Sequence, residues 1–175
     1  SYNKLIISFD LSIINFSKLK KEIQNLKIRK YMKKDKKIIK IPVCCDNEYS
    51  LDFERLTYKF NLSKDQILKI FFEKEYFCYM TGFIAGMPFL GDLDNKIKIN
   101  RLDTPRVKVP EGSVGITEQF TNIYTFESPG GWNIIGNTPK KVFKKLNLQD
   151  PALIKPGDKV IFYQISKEEY LNFND

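Results

Sequence analysis

The stretch TPRVKVPEGSVGITEQFTNIYTFESPGGWNIIGNTP, Thr104–Pro139, decides the fold class, because glycine and proline punctuate it between short β-branched and aromatic runs. That pattern describes short strands joined by specific turns, as in a barrel or a sandwich. The punctuation extends outward. All nine glycines lie between Gly82 and Gly157, and seven of the eight prolines lie after residue 80. In LIKPGDKVIF, Pro156-Gly157 signals a type II turn, with proline fixing one φ and glycine taking the positive φ that follows. Lys159 to Ile165 then reads as the strand that closes the sheet.

Toward the N-terminus the grammar is different. Lys4 to Phe9 reads as a strand, and Leu19, Ile23 and Leu26 give one apolar face to a helix from about Phe16 to Lys30. Ile38 to Cys44, IIKIPVC, is a second strand, placed at an edge or bulged by Pro42, which donates no hydrogen bond. Phe53, Leu56 and Phe60 line a short helix capped by Ser50 or Asp52. Ser63-Lys64-Asp65-Gln66 is a capping box ahead of Ile67, Ile70 and Phe71. Tyr76 to Met80 returns to strand. The expectation is one domain over 1–175, mainly β with flanking helices, with a helical flank over about 16–75 and a loop-rich barrel part over about 76–165.

Composition narrows the chemistry. At 175 residues with 42% apolar and 14% aromatic content, the chain can bury a sizeable core. No run approaches 18 apolar residues, and the start lacks the pattern of a signal peptide, so a cytoplasmic location without membrane contact is expected. There is no histidine, which excludes Ser-His and Cys-His mechanisms within this chain and makes zinc, or any metal, unexpected. Cys44, Cys45 and Cys78 have no disulfide spacing; adjacent Cys44 and Cys45 should face opposite sides of a strand, one in the core and one more exposed. The net charge is +8, but residues 1–40 hold 12 Lys or Arg against three acids, so the remainder sums to −1. The run KIRKYMKKDKKIIK carries that excess as a solvated basic segment or a contact for an acidic partner. It matches no nucleic-acid module, so none is expected as a partner.

Three clusters carry the candidate chemistry. In GFIAGMPFLGDL, Gly82–Leu93, Gly82 and Gly86 could cradle an anion with backbone N–H groups, or simply form a packed loop. In RLDTPRVKVPEGSVG, Arg101–Gly115, Arg106 and Lys108 share a side if extended and suit a carboxylate or phosphate; Gly112 and Ser113 add backbone and hydroxyl donors. In ESPGGWNIIG, Glu127–Gly136, paired glycines present Trp132 to a groove or to the core.

Together these clusters resemble the family of the 5-oxoprolinase B subunit, allophanate hydrolase subunit 1 and the KipI kinase inhibitor. The resemblance rests on GFIAGMPFLG, TPRVKVPEGSVGI, FTNIYTFESPGGWNIIGNTP and LIKPGDKVIF, in that order. It implies a cyclophilin-like β-barrel, with the family's usual small N-terminal domain lying outside the chain. It also implies a second carboxyltransferase-type subunit (the C subunit) as partner, a third oxoprolinase subunit, and ATP consumed by the complex while a lactam is opened. Direct ATP binding by this chain is left open. Carried onto this sequence, the resemblance makes Arg106 and Ser113 the candidate catalytic residues. The candidate pocket is Tyr79, Gly82, Gly86, Pro88, Lys108, Gly112, Tyr124, Ser128, Gly131 and Trp132. Phe71, Ala85, Phe120 and Asn122 depart from the family's histidine, proline, glutamine and glycine. The alternatives are a non-catalytic domain that binds a sensor histidine kinase, and an allophanate hydrolase subunit.

Overall fold

The computed structural model of the protein describes residues 4–27 and 37–174. Contacts fall into two units, residues 1–35 and 36–175. In the first, helix α1 (Phe16–Gln24) is capped by the Asn15 side chain, which accepts from the Lys18 N–H. It ends six residues before the expected Lys30, which lies with residues 28–36 outside the described residues. Lys4–Phe9 is not a strand. Its apolar residues have no ladder partner among the described residues, and strand propensity alone does not hold an unpaired extended segment. Leu5, Ile6, Leu11 and Ile13 are exposed.

The second unit is a closed barrel. Its strands are β1 (Ile38–Cys44), β2 (Glu75–Thr81), β3 (Pro88–Gly91), β5 (Ser113–Thr117), β6 (Phe120–Ile123), β8 (Asn133–Asn137) and β9 (Lys159–Ile165). Around the barrel they run β1-β8-β5-β6-β3-β2-β9, and β9 returns to β1. The closing ladder is parallel over all seven residues, Ile38 with Lys159 through Cys44 with Ile165. On its other side β1 meets β8 only at Cys44 and Asn137. Pro42 therefore sits where one side of the strand is unpaired over most of its length, which is the edge character its missing donor requires. β4 (Arg106–Val109) and β7 (Ser128–Gly130) form a separate two-stranded ribbon outside the barrel.

Alternation fills the interior. Ile41, Val43, Leu90, Val114, Ile116, Ile123, Ile135, Val160 and Phe162 are buried in one cluster, which α2 (Phe53–Phe60) and α3 (Lys64–Phe72) join through Phe53, Leu56, Ile67, Leu68 and Phe71. The capping box of α3 is present in full, Ser63 and Gln66 each satisfying the other's backbone donor. Phe71, in place of the family's histidine, is fully buried between Tyr76 and Phe162, with ring centroids 5.3 and 5.1 Å away. It is a core side chain. The Lys155–Asp158 turn has Gly157 at φ +98°, as the Pro-Gly signal requires. A short helix, α4 (Lys167–Leu171), follows β9. Among the described residues no helix is long and apolar enough to cross a membrane.

Cys44 and Cys45 are both buried, contrary to the expected split. Cys44 ends β1 inside the paired ladder and Cys45 belongs to the core cluster, so the chain leaves the strand without turning either thiol outward. Burial pushes the Cys45 thiol up to about 12, with smaller contributions from Cys44 and Asp46, and Cys78 likewise to about 12. The ordinary value is 9.0. Between those values the unfolded chain has released protons that the folded chain still holds, so stability should fall as pH rises from 9 toward 12. At pH 8 the native thiols should resist a thiol reagent that labels all three at once in denaturant. Rapid labelling of the native protein would contradict this burial.

Candidate functional site

The ribbon carries the site. Its register pairs Arg106 with Gly130 and Val109 with Ser128, with a bulge between Arg106 and Val109. Residues paired across strands share a face, and so do residues two apart on one strand. Arg106, Gly130, Ser128 and Val109 therefore all lie on the ribbon's inner face, where Val109 is completely buried with Met87, Tyr124 and Ile134.

Arg106 reaches inward. Its Nη2 donates to Asp52 Oδ1 at 2.6 Å, and Asp52 Oδ2 accepts the Ile134 N–H at 2.6 Å. Asp52 is 5% exposed and caps nothing with its side chain, although it stands at the N-cap of α2. The carboxylate instead bridges the ribbon to β8. Charge-assisted hydrogen bonds of this kind are roughly twice as strong as neutral ones. Two buried side-chain atoms among the described residues lack a hydrogen-bond partner: Arg106 Nη1 and Ser128 Oγ.

Tyr124 stands beside them. Burial pushes its phenol up, while the Trp132 N–H, Asn122 and the Arg106 charge pull the other way. A Cβ on Gly130 would collide with the Tyr124 hydroxyl, so the ribbon lies directly on that ring. Trp132 is half-buried, edge-on to Phe89 with centroids 5.5 Å apart. The structure thus gathers Arg106, Ser128, Tyr124 and the Trp132 backbone in one place.

Other expected site residues lie apart from it. Lys108 does not join Arg106, because the bulge breaks the alternation and sends it outward to Glu127, 3.0 Å away. The two cations form no cluster, and Asp52 already balances Arg106. Gly112 and Ser113 offer no backbone donors: Gly112 N–H donates to Tyr124 O at 2.8 Å and Ser113 N–H to Pro110 O at 3.2 Å. Ser113 is 2% exposed at the start of β5. Gly112 and Tyr124 line a separate polar cleft of ≈ 90 Å³ with Glu111, Lys140, Lys141 and Tyr170.

Gly82 N–H donates to Met87 O, Met87 N–H donates to Ile84 O, and Gly86 packs under the Phe143 ring. Pro88 is buried at the start of β3. Tyr79 Oη donates to the Asp92 carboxylate at 3.2 Å and packs edge-on against Phe120, in a half-buried row with Phe77 and Phe89. Gly131 sits against the 102–105 loop, its carbonyl accepting from Leu102 N–H at 2.7 Å.

Sequence reading missed two polar anchors. Asp52 was legible only as a helix cap. Asn133 is fully buried, accepting from Arg55 Nε at 3.0 Å and donating to Asn100 O and Ile116 O. Contacts across 54 and 78 residues leave no local signal.

Comparison with known proteins gives a consistent result. The sequence profile of the carboxyltransferase domain, subdomain C and D, matches residues 1–154. The chain is 38% identical over 136 residues to the 5-oxoprolinase B subunit of Bacillus subtilis, covering 78% of this chain and 56% of that protein. It is 41% identical over 124 residues to the Haemophilus influenzae protein of the same name, covering 71% and 58%. The chain thus spans a little over half the length of these relatives. A crystal structure of a conserved uncharacterised protein from Pyrococcus horikoshii superposes with a TM-score of 0.73 at 40% identity, over 77% of this chain and 62% of that one. The K. lactis urea amidolyase shares the fold at a TM-score of 0.76 and 23% identity, over 94% of this chain and 12% of that one.

Proposed function

The chain belongs to the family of carboxyltransferase domains, subdomains C and D, and from that premise we propose that it forms part of the B subunit of an ATP-dependent 5-oxoprolinase-type lactam hydrolase. One observation carries this reading. Arg106 is fixed by Asp52 through one amino group, while its other is buried without a hydrogen-bond partner, as is Ser128 Oγ on the same face of the ribbon. Buried polar groups are almost always satisfied in native proteins, and an exception marks a place where strain, a water, an ion or a reacting group accounts for it. A guanidinium held rigid on one side, with donors unpaired on the other, suits an acceptor oxygen of a small amide substrate.

The division of labour follows. This chain binds and orients the substrate's acceptor oxygen against the Tyr124 wall. The phosphoryl chemistry of ATP, a co-substrate of the complex, is assigned to partner subunits, because the 82–87 loop has no Gly-Lys-Ser/Thr ending and ties Gly82 N–H to Met87 O. The partners are a second carboxyltransferase-type subunit and a third oxoprolinase subunit, acting in the cytoplasm. The names of the B. subtilis and H. influenzae relatives support a multi-subunit assembly.

Reconstitution tests the reading. The full-length protein, mixed with its two partner subunits, should release ADP in the presence of 5-oxoproline and in proportion to glutamate formed. Omitting this protein should abolish that release. A complete, folded assembly that consumes no 5-oxoproline would sink the assignment.

A further inference from the structure

We propose that the polar cleft between Gly112 and the 138–142 segment binds the carboxylate of a small monocarboxylic acid, with Lys140 as counter-ion and Thr138 as hydroxyl donor. The cleft measures ≈ 90 Å³, and neither Arg106 nor Asp52 lines it. Its walls are tied to one another without a ligand. Gly112 N–H donates to Tyr124 O at 2.8 Å, and Thr138 N–H donates to Gly112 O at 2.9 Å. Asn137 reaches across, its Nδ2 donating to Glu111 O and its Oδ1 accepting from Tyr170 Oη, both at 2.9 Å. The turn, the end of β8 and α4 are thereby held together, so binding does not have to order them.

Charge and size select the ligand. The charged lining residues are Lys140, Lys141 and Glu111, so one positive charge is left over. Glu111 is paired with Lys141 at 2.7 Å. Lys140 is half-buried, and its ammonium has no acceptor among the described residues. Thr138 is 3% exposed; its hydroxyl accepts the Lys140 N–H at 3.2 Å, and its own proton has no acceptor among the described residues. A carboxylate uses both groups, one as a charge-assisted partner and one as a hydroxyl donor. Its single negative charge matches the excess, whereas a phosphate dianion would leave the half-enclosed cleft negative, at a desolvation cost. The volume corresponds to about three waters at their share of the liquid, room for a molecule of acetate's size and far too little for a nucleotide.

Amide NMR of the isotope-labelled full-length protein tests the site, with sodium acetate titrated against sodium chloride at equal ionic strength and pH 8. Acetate should produce saturating shifts centred on the Gly112, Thr138 and Lys140 amides, and chloride should not reproduce them. Lys140→Gln should raise the acetate concentration at half-saturation by about tenfold, the scale of one hydrogen bond to a charged group. Thr138→Val, close in shape but without the hydroxyl, should also weaken acetate. Lys145→Gln removes the same charge from a side chain that stands over the Phe126 ring, outside the cleft lining, and should leave the titration unchanged. Shifts that fail to saturate, or that chloride matches, would overturn the site. Equal weakening in Lys140→Gln and Lys145→Gln would also overturn it, by showing a general response to the positive surface. Inorganic phosphate binding the same amides more tightly than acetate would overturn the carboxylate as the ligand class.

Discussion

Asp52→Ala is expected to destabilise the protein by about 3 kcal/mol, the lower end of the cost of breaking a buried ion pair. The lower end applies because the Arg106 side chain keeps 27% exposure and can recover some water. Three losses act together. Arg106 Nη2 loses its acceptor, the Ile134 N–H loses its acceptor, and the link from ribbon to β8 is broken. Asp52→Asn keeps a carbonyl oxygen for one of the two donors and should cost less. Denaturant unfolding of the full-length protein, with the slope compared between variants, measures both. A change within about 0.5 kcal/mol for Asp52→Ala, the scale of an ordinary surface substitution, would mean that the bridge does not hold the ribbon.

Gly112→Ala should be comparably severe, about 2–4 kcal/mol, because backbone strain and overpacking coincide. Gly112 has φ +81°, a conformation that alanine adopts at a cost. An added Cβ would also meet the Thr138 carbonyl oxygen and sit 2.5 Å from Asn137 Oδ1. Neither is easily moved. Gly112 O accepts the Thr138 N–H, and Asn137 Oδ1 accepts from Tyr170 Oη at 2.9 Å. The expected result is a lower midpoint and an exposed Tyr170, read by thermal unfolding and tyrosine fluorescence. Retention of the wild-type midpoint would show that the 110–113 turn relaxes freely.

Much of the barrel was legible in the sequence, and the reasons differ by element. β1 and β9 coincide with the apolar runs Ile38–Cys44 and Lys159–Ile165, the second bounded by the Pro156-Gly157 turn and by Ser166, which caps the helix that follows. The capping box of α3 and the Pro156-Gly157 turn are local chemistry, set by residues within four positions of one another. Lys4–Phe9 misled because richness in Leu and Ile reports a segment that can pair, not a neighbour that does. The two cysteines misled because strict alternation ends where the strand ends.

The candidate site was legible as residue types and not as geometry. Arg106, Ser128, Tyr124 and Trp132 stood out in their motifs. The inward turn of Arg106 and the outward turn of Lys108 depend on a bulge that no residue between them announces. Asp52 lies 54 residues away from the group it holds. The glycine motif at 82–86 reads either as an anion cradle or as a packed loop, and the fold has a turn there beneath Phe143. Only the third dimension separates those two.

The most direct test of the account is kcat/KM for 5-oxoproline in the reconstituted enzyme carrying Arg106→Lys, with the thermal midpoint of the same variant measured in parallel. Lysine keeps the charge but cannot hold Asp52 with one amino group and the substrate with another. The account predicts a loss of roughly 100-fold in kcat/KM, about 2.7 kcal/mol of transition-state stabilisation, in a variant that still folds and assembles with its partner subunits. Undiminished turnover in a folded, assembled Arg106→Lys enzyme would contradict it and place the substrate away from the ribbon.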